Sequence, residues 1–106
     1  MLQDIRPALG QIREILRSAL SGRVRDVVLY GSQARNDADS DSDIDLIVVL
    51  NGAVNLGRDL PKIIRAIYPV QLTVDQPIHV LPVSAAEYEA GRYGIYRCAK
   101  EEGVVV

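Results

Sequence analysis

Gly31-Ser32-Gln33-Ala34-Arg35-Asn36-Asp37-Ala38-Asp39-Ser40-Asp41-Ser42-Asp43-Ile44-Asp45-Leu46 is the stretch on which the reading of this chain turns. It sets a Gly-Ser turn, a cation and an alternating series of carboxylates between two apolar runs, Val27-Val28-Leu29-Tyr30 and Ile44 to Leu50. Asp45 sits inside the second run. A carboxylate at the front of a buried strand is costly unless something positive binds it. Residues two apart in a strand point to the same face with Cα atoms roughly 6.5–7 Å apart. Asp43 and Asp45 therefore converge on one side, where a divalent cation would offset their charge.

A calcium loop also alternates carboxylates, but an EF-hand needs Gly at its sixth position and Glu at its twelfth. Counting from Asp37 puts Ser42 and Val48 there, and counting from Asp39 puts Ile44 and Leu50. Neither register works. A solvated acidic loop accounts for Asp37, Asp39 and Asp41 but not for Asp45 within an apolar strand. The turn ahead of the acids has its own chemistry. Gly31 lets the backbone pass close to a phosphate, Ser32 offers a hydroxyl donor, and the N–H groups opening a short helical turn form an anion-binding end. Arg35 has two readings, a phosphate contact or an ion pair with Asp37, Asp39 or Asp41.

Gly31-Ser32-x-Ala34-Arg35 followed by Asp41-Ser42-Asp43-Ile44-Asp45-Leu46 resembles the minimal nucleotidyltransferase family of the DNA polymerase β-like nucleotidyltransferase superfamily. The resemblance covers most of the chain and implies a small α/β (α+β) domain, a mixed sheet flanked by helices, spanning 1–106. It implies metal-dependent transfer of a nucleoside monophosphate, AMP from ATP, to a hydroxyl. Asp43 and Asp45 are then the metal ligands and catalytic carboxylates, with Gly31, Ser32, Arg35 and Ser42 binding the nucleotide. Mg²⁺ is the metal that suits such oxygen ligands, with Mn²⁺ the alternative. The resemblance also implies an antitoxin role, with a small helical HEPN-family protein as partner and acceptor. A second reading keeps the fold and the partner but not the chemistry, leaving an antitoxin that acts by contact.

The family pattern supplies a third carboxylate from a later strand, and the matching position here is His79. Three readings stay open. His79 is the base itself, since a neutral imidazole titrates in the right range, though it suits Mn²⁺ or Zn²⁺ better than Mg²⁺. Asp75 reaches in from the preceding loop. Or the site has lost its chemistry.

The rest of the chain supports one small domain. At 106 residues it is long enough for one domain and too short for two. Hydrophobic residues are 48% with no Phe or Trp, so Val, Ile and Leu must fill the core. With 12 basic and 14 acidic residues, the net charge of −2 argues against direct duplex-DNA binding. Arg6, Arg13, Arg17, Arg23 and Arg25 read as a solvated helix face. Cys98 is the sole cysteine, which fits a reducing compartment and a packed small hydrophobe. No apolar run is long enough to span a membrane and no signal-peptide pattern opens the chain, so a cytoplasmic protein is expected.

Leu2, Ile5, Leu9, Ile12, Leu16 and Leu20 predict an amphipathic first helix, and Val24 to Tyr30 a strand. Gln33 to Asn36 predicts a helical turn and Ile44 to Leu50 a strand covered on both faces. Leu56 to Tyr68 reads as a helix stopped by Pro69, with a short edge segment over Val70 to Val74. Pro77 to Val83 reads as a strand whose Pro82 marks an edge or bulge. Ser84 with Glu87 forms a capping pattern for a last helix running to Glu102, broken near Gly91 or Gly94. Tyr93 and Tyr96 on that helix are candidate partner contacts.

Overall fold

The computed structural model describes residues 5–31, 33–34 and 42–106. Leu2, Ser32, Arg35, Asn36, Asp37, Asp39 and Asp41 lie outside them, so the readings placed on those residues are not addressed by it. The elements run α1 (Arg6–Ala19), β1 (Val24–Tyr30), β2 (Ile44–Leu50), α2 (Leu56–Gln71), β3 (Ile78–Ser84), α3 (Ala85–Ala90), α4 (Gly94–Glu102) and β4 (Val104–Val105). The strands form one mixed sheet in the order β3-β2-β1-β4. β1 pairs antiparallel with β2 and β4, and β2 pairs parallel with β3. A parallel pair needs a crossover connection, and α2 supplies it.

Alternation along the strands builds two cores. Val27 and Leu29 of β1 and Ile44, Leu46, Val48 and Leu50 of β2 face α1 and α2, meeting Leu9, Ile12, Leu16, Ile63, Ile67 and Val70. Val28, Ile47, Val49 and Val83 face the other way, against Tyr88 of α3 and Tyr96 and Ala99 of α4. β2 lies inside the sheet and is covered on both faces, which is why its sequence is apolar at every position but Asp45. Asp45 shares the face of Ile47 and Val49, so it points toward the α3–α4 side at the uncovered end of the strand.

α2 differs from the expectation. It contains Pro61 as expected but runs on through Pro69 to Gln71, and the segment Val70 to Val74 is helix end and turn rather than strand. A proline inside a helix forfeits one backbone bond and costs about 3 kcal/mol. Here the last turn is held by the buried Val70 and by Leu72 N–H donating to the Tyr68 carbonyl at 3.2 Å. The final helix is two. Gly91, at φ 62°, closes α3, and Ser84 opens it by accepting from the Glu87 N–H. Tyr96 is core, edge-on to the half-exposed Tyr93, so it offers no partner contact. Cys98 is exposed rather than packed. β3 is a terminal strand, as Pro82 implied.

β4 was not foreseen. It fits because Gly103 lies where a Cβ would sit 2.3 Å from the Ala99 carbonyl oxygen and 2.7 Å from a Val28 methyl. The absent side chain lets the chain turn straight from α4 onto β1.

Two of the arginines assigned to a solvated face instead lock the fold. At the start of β1 a bulge between Val24 and Asp26 turns out Arg25, which pairs with Glu89 of α3; Lys100 of α4 holds the same carboxylate. Arg23 grips Asp59 of α2 through both guanidinium nitrogens, at 2.9 and 3.1 Å, and also donates to the Ala53 carbonyl. Asp59 is 1% exposed and accepts further from the Asn55 N–H. The Arg23 hydrogen bond holds the Asp59 carboxyl down at about 2 against the opposing cost of burial.

A carboxyl lowered on folding stabilises the folded state above its unfolded value, near 3.9, and that contribution fades as pH falls toward 2. The shift corresponds to about 2 kcal/mol. Thermal melts should therefore show Asp59→Asn less stable than the parent by about that amount at pH 7, with the gap closing between pH 4 and pH 2. A gap independent of pH would refute the ionic account. Gly103→Ala should detach β4 while leaving the rest folded, read as lost amide protection at Leu29 and Val104 in hydrogen exchange.

Candidate functional site

The site lies where β1 ends and β2 and β3 begin. Antiparallel pairing sets Tyr30 opposite Asp45, and parallel pairing sets His79 opposite Asp45 on the other side. Asp45 is thus flanked by Tyr30 and His79, with Asp43 two residues earlier on its own strand. His79 Nε2 lies 2.8 Å from Asp43 Oδ2. An ionised carboxylate only accepts, so against one the imidazole donates through Nε2–H. Asp43 and His79 are both open to solvent, with side chains 45% and 58% exposed.

Asp45 is less open. Burial raises its carboxyl above the ordinary range, His79 pulls it down and Asp43 pushes it up again. Tyr30 is likewise raised, by burial first and then by Asp45. The strand has placed the Asp45 carboxylate where its charge is poorly solvated, with the like charge of Asp43 beside it.

Gly31 is required twice. Its φ is +77°, a region that side-chain-bearing residues rarely adopt, and a Cβ there would stand 3.0 Å from Asp45 Oδ2. The turn after β1 therefore passes directly over the Asp45 carboxylate. Across the loop, Gln33 Nε2 donates to the Ser42 carbonyl at 3.1 Å, joining the turn to the residue before Asp43.

A residue the sequence did not single out holds the third corner. Gln71, the last residue of α2, donates through Nε2 to the Gln76 carbonyl at 2.9 Å and accepts from the Ile78 N–H at 2.7 Å. Ile44 N–H donates to the Pro77 carbonyl at 2.9 Å. These bonds fix the entry into β3, and with it the register that brings His79 to Asp43. A glutamine at a helix end carries no motif, so only its contacts reveal it. Asp75 is exposed in the turn four residues before His79, and the residue that meets Asp43 is His79.

The donor set fits a hard divalent cation through its carboxylates. Among the described residues no three acidic, His or Cys side chains stand at the spacing of an all-protein metal cage. Mg²⁺ in phosphate chemistry does not need one, since one or two carboxylates plus the substrate's phosphates commonly hold it. The raised Asp45 and its neighbour Asp43 meet that description; the His79 imidazole is a softer donor.

Known proteins agree with this architecture. A Methanocaldococcus jannaschii protein named "putative protein adenylyltransferase" is 38% identical over 42 residues, 40% of this chain and 42% of that protein's length. A crystal structure described as "a putative nucleotidyltransferase from Sulfolobus solfataricus" superposes with a TM-score of 0.53, covering 95% of this chain and 83% of that one. At 18% identity that likeness speaks for the fold alone. Residues 9–104, from the first turn of α1 to β4, match the nucleotidyltransferase domain family, and the chain belongs to that family.

Proposed function

We propose that the chain transfers AMP from ATP to a hydroxyl, with Asp43 and Asp45 holding Mg²⁺ and a partner protein of the helical HEPN type supplying the acceptor in an antitoxin role. The observation that carries the reading is the convergence of Asp43, Asp45 and His79 beneath the Gly31 turn. Nucleotidyl transfer follows from family membership. AMP and a protein acceptor are supported by the name of the Methanocaldococcus jannaschii relative, of which the match spans under half.

Bound there, the metal would supply charge neutralisation of the triphosphate and of the leaving pyrophosphate. The chain's own groups do the rest. The Gly31 turn carries the backbone close over Asp45, and Gly31, Ser32, Arg35 and Ser42 are assigned to the triphosphate on the sequence motif. Asp43 accepts from His79 Nε2–H, which fixes the ring and leaves Nδ1 as the lone pair for the acceptor's proton. The attacking oxygen bonds to the α-phosphorus, the bond to the bridging oxygen breaks, and pyrophosphate leaves.

The contact-only reading has one specific observation in its favour. His79 stands where the family pattern has a carboxylate, and its N–H already occupies an oxygen of Asp43.

Incubation with α-labelled ATP, Mg²⁺ or Mn²⁺ and a helical HEPN-type partner separates the two. Label should pass to the partner and fall by about a hundredfold or more in Asp43→Asn/Asp45→Asn. His79→Ala should lower the rate by about a hundredfold, the scale of a lost general base, while His79→Asp should keep activity and favour Mg²⁺. Partner binding with no label under either metal would establish the contact-only reading. An unchanged rate in His79→Ala would remove that residue from the chemistry.

A further inference from the structure

α2 bears a second surface that the site does not use. Exposed apolar residues scattered singly are ordinary, but on α2 they line up. Ile64 is 48% exposed, Tyr68 56% and Leu72, the C-cap residue, 69%, and they recur at four-residue steps. Residues four apart lie on one face of a helix. The helix turns about 100° per residue, and its buried side is Asp59, Ile63, Ile67 and Val70. Toward α1 it presents Pro69 and Val70, which with Pro7, Gly10 and Ile15 line the groove between the two helices. Toward β3 it presents Gln71. Ile64 and Tyr68 follow Gln71 around the helix away from α1, so the apolar row lies on the β3 side, beside the terminal strand of the sheet.

Continuing round the helix from Leu72 toward α1, the solvent side carries Arg65, then Arg58 and Lys62. Arg58, Lys62 and Arg65 are exposed at four- and three-residue steps. The one acid of α2 is Asp59, buried in the grip of Arg23. Among the described residues Arg58 reaches only that carboxylate, at 3.8 Å, and Lys62 and Arg65 have no ion pair. The concentration of positive charge is local, since the chain as a whole carries −2.

We propose that this flank of α2 docks an acidic amphipathic helix of a partner protein, its apolar ridge on Ile64, Tyr68 and Leu72 and its carboxylates on Arg58, Lys62 and Arg65. Ridges at four-residue spacing are those that interdigitate in helix–helix packing, and opposed charges at the rim give orientation and rate. The same charges disfavour a second copy of the chain, which would bring two basic edges and no free carboxylate to one interface. The inference rests on α2 alone and is read without nucleotide or metal, so it stands or falls separately from the transfer reaction.

The test is fluorescence anisotropy of the full chain with a labelled amphipathic helical peptide, Leu at four-residue steps and Glu along one edge. Its counterpart with Lys for Glu and a single-stranded oligonucleotide serve as comparators. The acidic peptide should bind at least tenfold more tightly than the Lys peptide. Ile64→Ser/Tyr68→Ser, both at exposed positions and checked by thermal melt, should weaken it about tenfold. Lys62→Glu/Arg65→Glu should reverse the preference between peptides. Equal affinity for the two peptides, or indifference to both double variants, would overturn the proposal. So would tight oligonucleotide binding sensitive to the charge variant alone, or self-association in sedimentation that Ile64→Ser/Tyr68→Ser abolishes.

Discussion

The parallel pairing of β2 with β3 is the constraint from which the site follows. An antiparallel hairpin would have set the start of β2 against the end of β3. The α2 crossover instead brings both strands into the sheet pointing the same way, so their N-terminal ends coincide and His79 falls opposite Asp45. β1 arrives antiparallel and contributes its C-terminal end, with Tyr30 and Gly31, to the same corner. Three strand ends meet there because of topology, and the charged residues need only occupy the right register to converge.

That convergence has an energetic consequence. β2 is apolar because it is buried on both faces, and Asp45 is the one charged position within it. Burial raises its carboxyl, and Asp43 adds like charge. A sheet that merely needed stability would place a Val there. The expense is tolerable because the strand end opens to solvent through Asp43 and His79, and because Gly31 removes the side chain that would otherwise crowd the carboxylate. An acidic residue held in this way is a ready partner for a cation.

How much of this the sequence disclosed depended on whether the determinant was local. The apolar stripe of α1, the apolar run of β2 and the Ser84–Glu87 cap are local signals, and each corresponds to the element observed. The corner formed by Asp43, Asp45 and His79 was legible through a motif and a position, and the strand register puts those residues side by side. What escaped was decided by tertiary context. Pro69 is a helix breaker in isolation, yet Val70 and Gln71 find partners that keep the last turn. Gly103 carries no signal for a strand after it, and its lack of a Cβ is what admits β4. Arg23 and Arg25 share spacing with a solvated face, and only the fold shows that they grip Asp59 and Glu89. Gln71 has no sequence signature at all.

The two ends of α2 tie these observations together. At its N-terminus Asp59 is locked to Arg23 at the start of β1, and at its C-terminus Gln71 clamps the backbone that leads into β3. The helix is therefore a strut between the pair that stabilises the far end of the sheet and the strand that carries His79. Its buried face fills the core through Ile63, Ile67 and Val70, which fixes its rotation as well as its position. With rotation fixed, the Gln71 amide can meet both the Gln76 carbonyl and the Ile78 N–H only in one setting of β3. The register at the Asp43–His79 corner is thus set from both sides, by the ladder to β2 and by a helix anchored at the opposite end of the sheet. Loosening the Arg23–Asp59 pair should accordingly reach His79 through α2, although the two lie at opposite ends of the molecule's central strands.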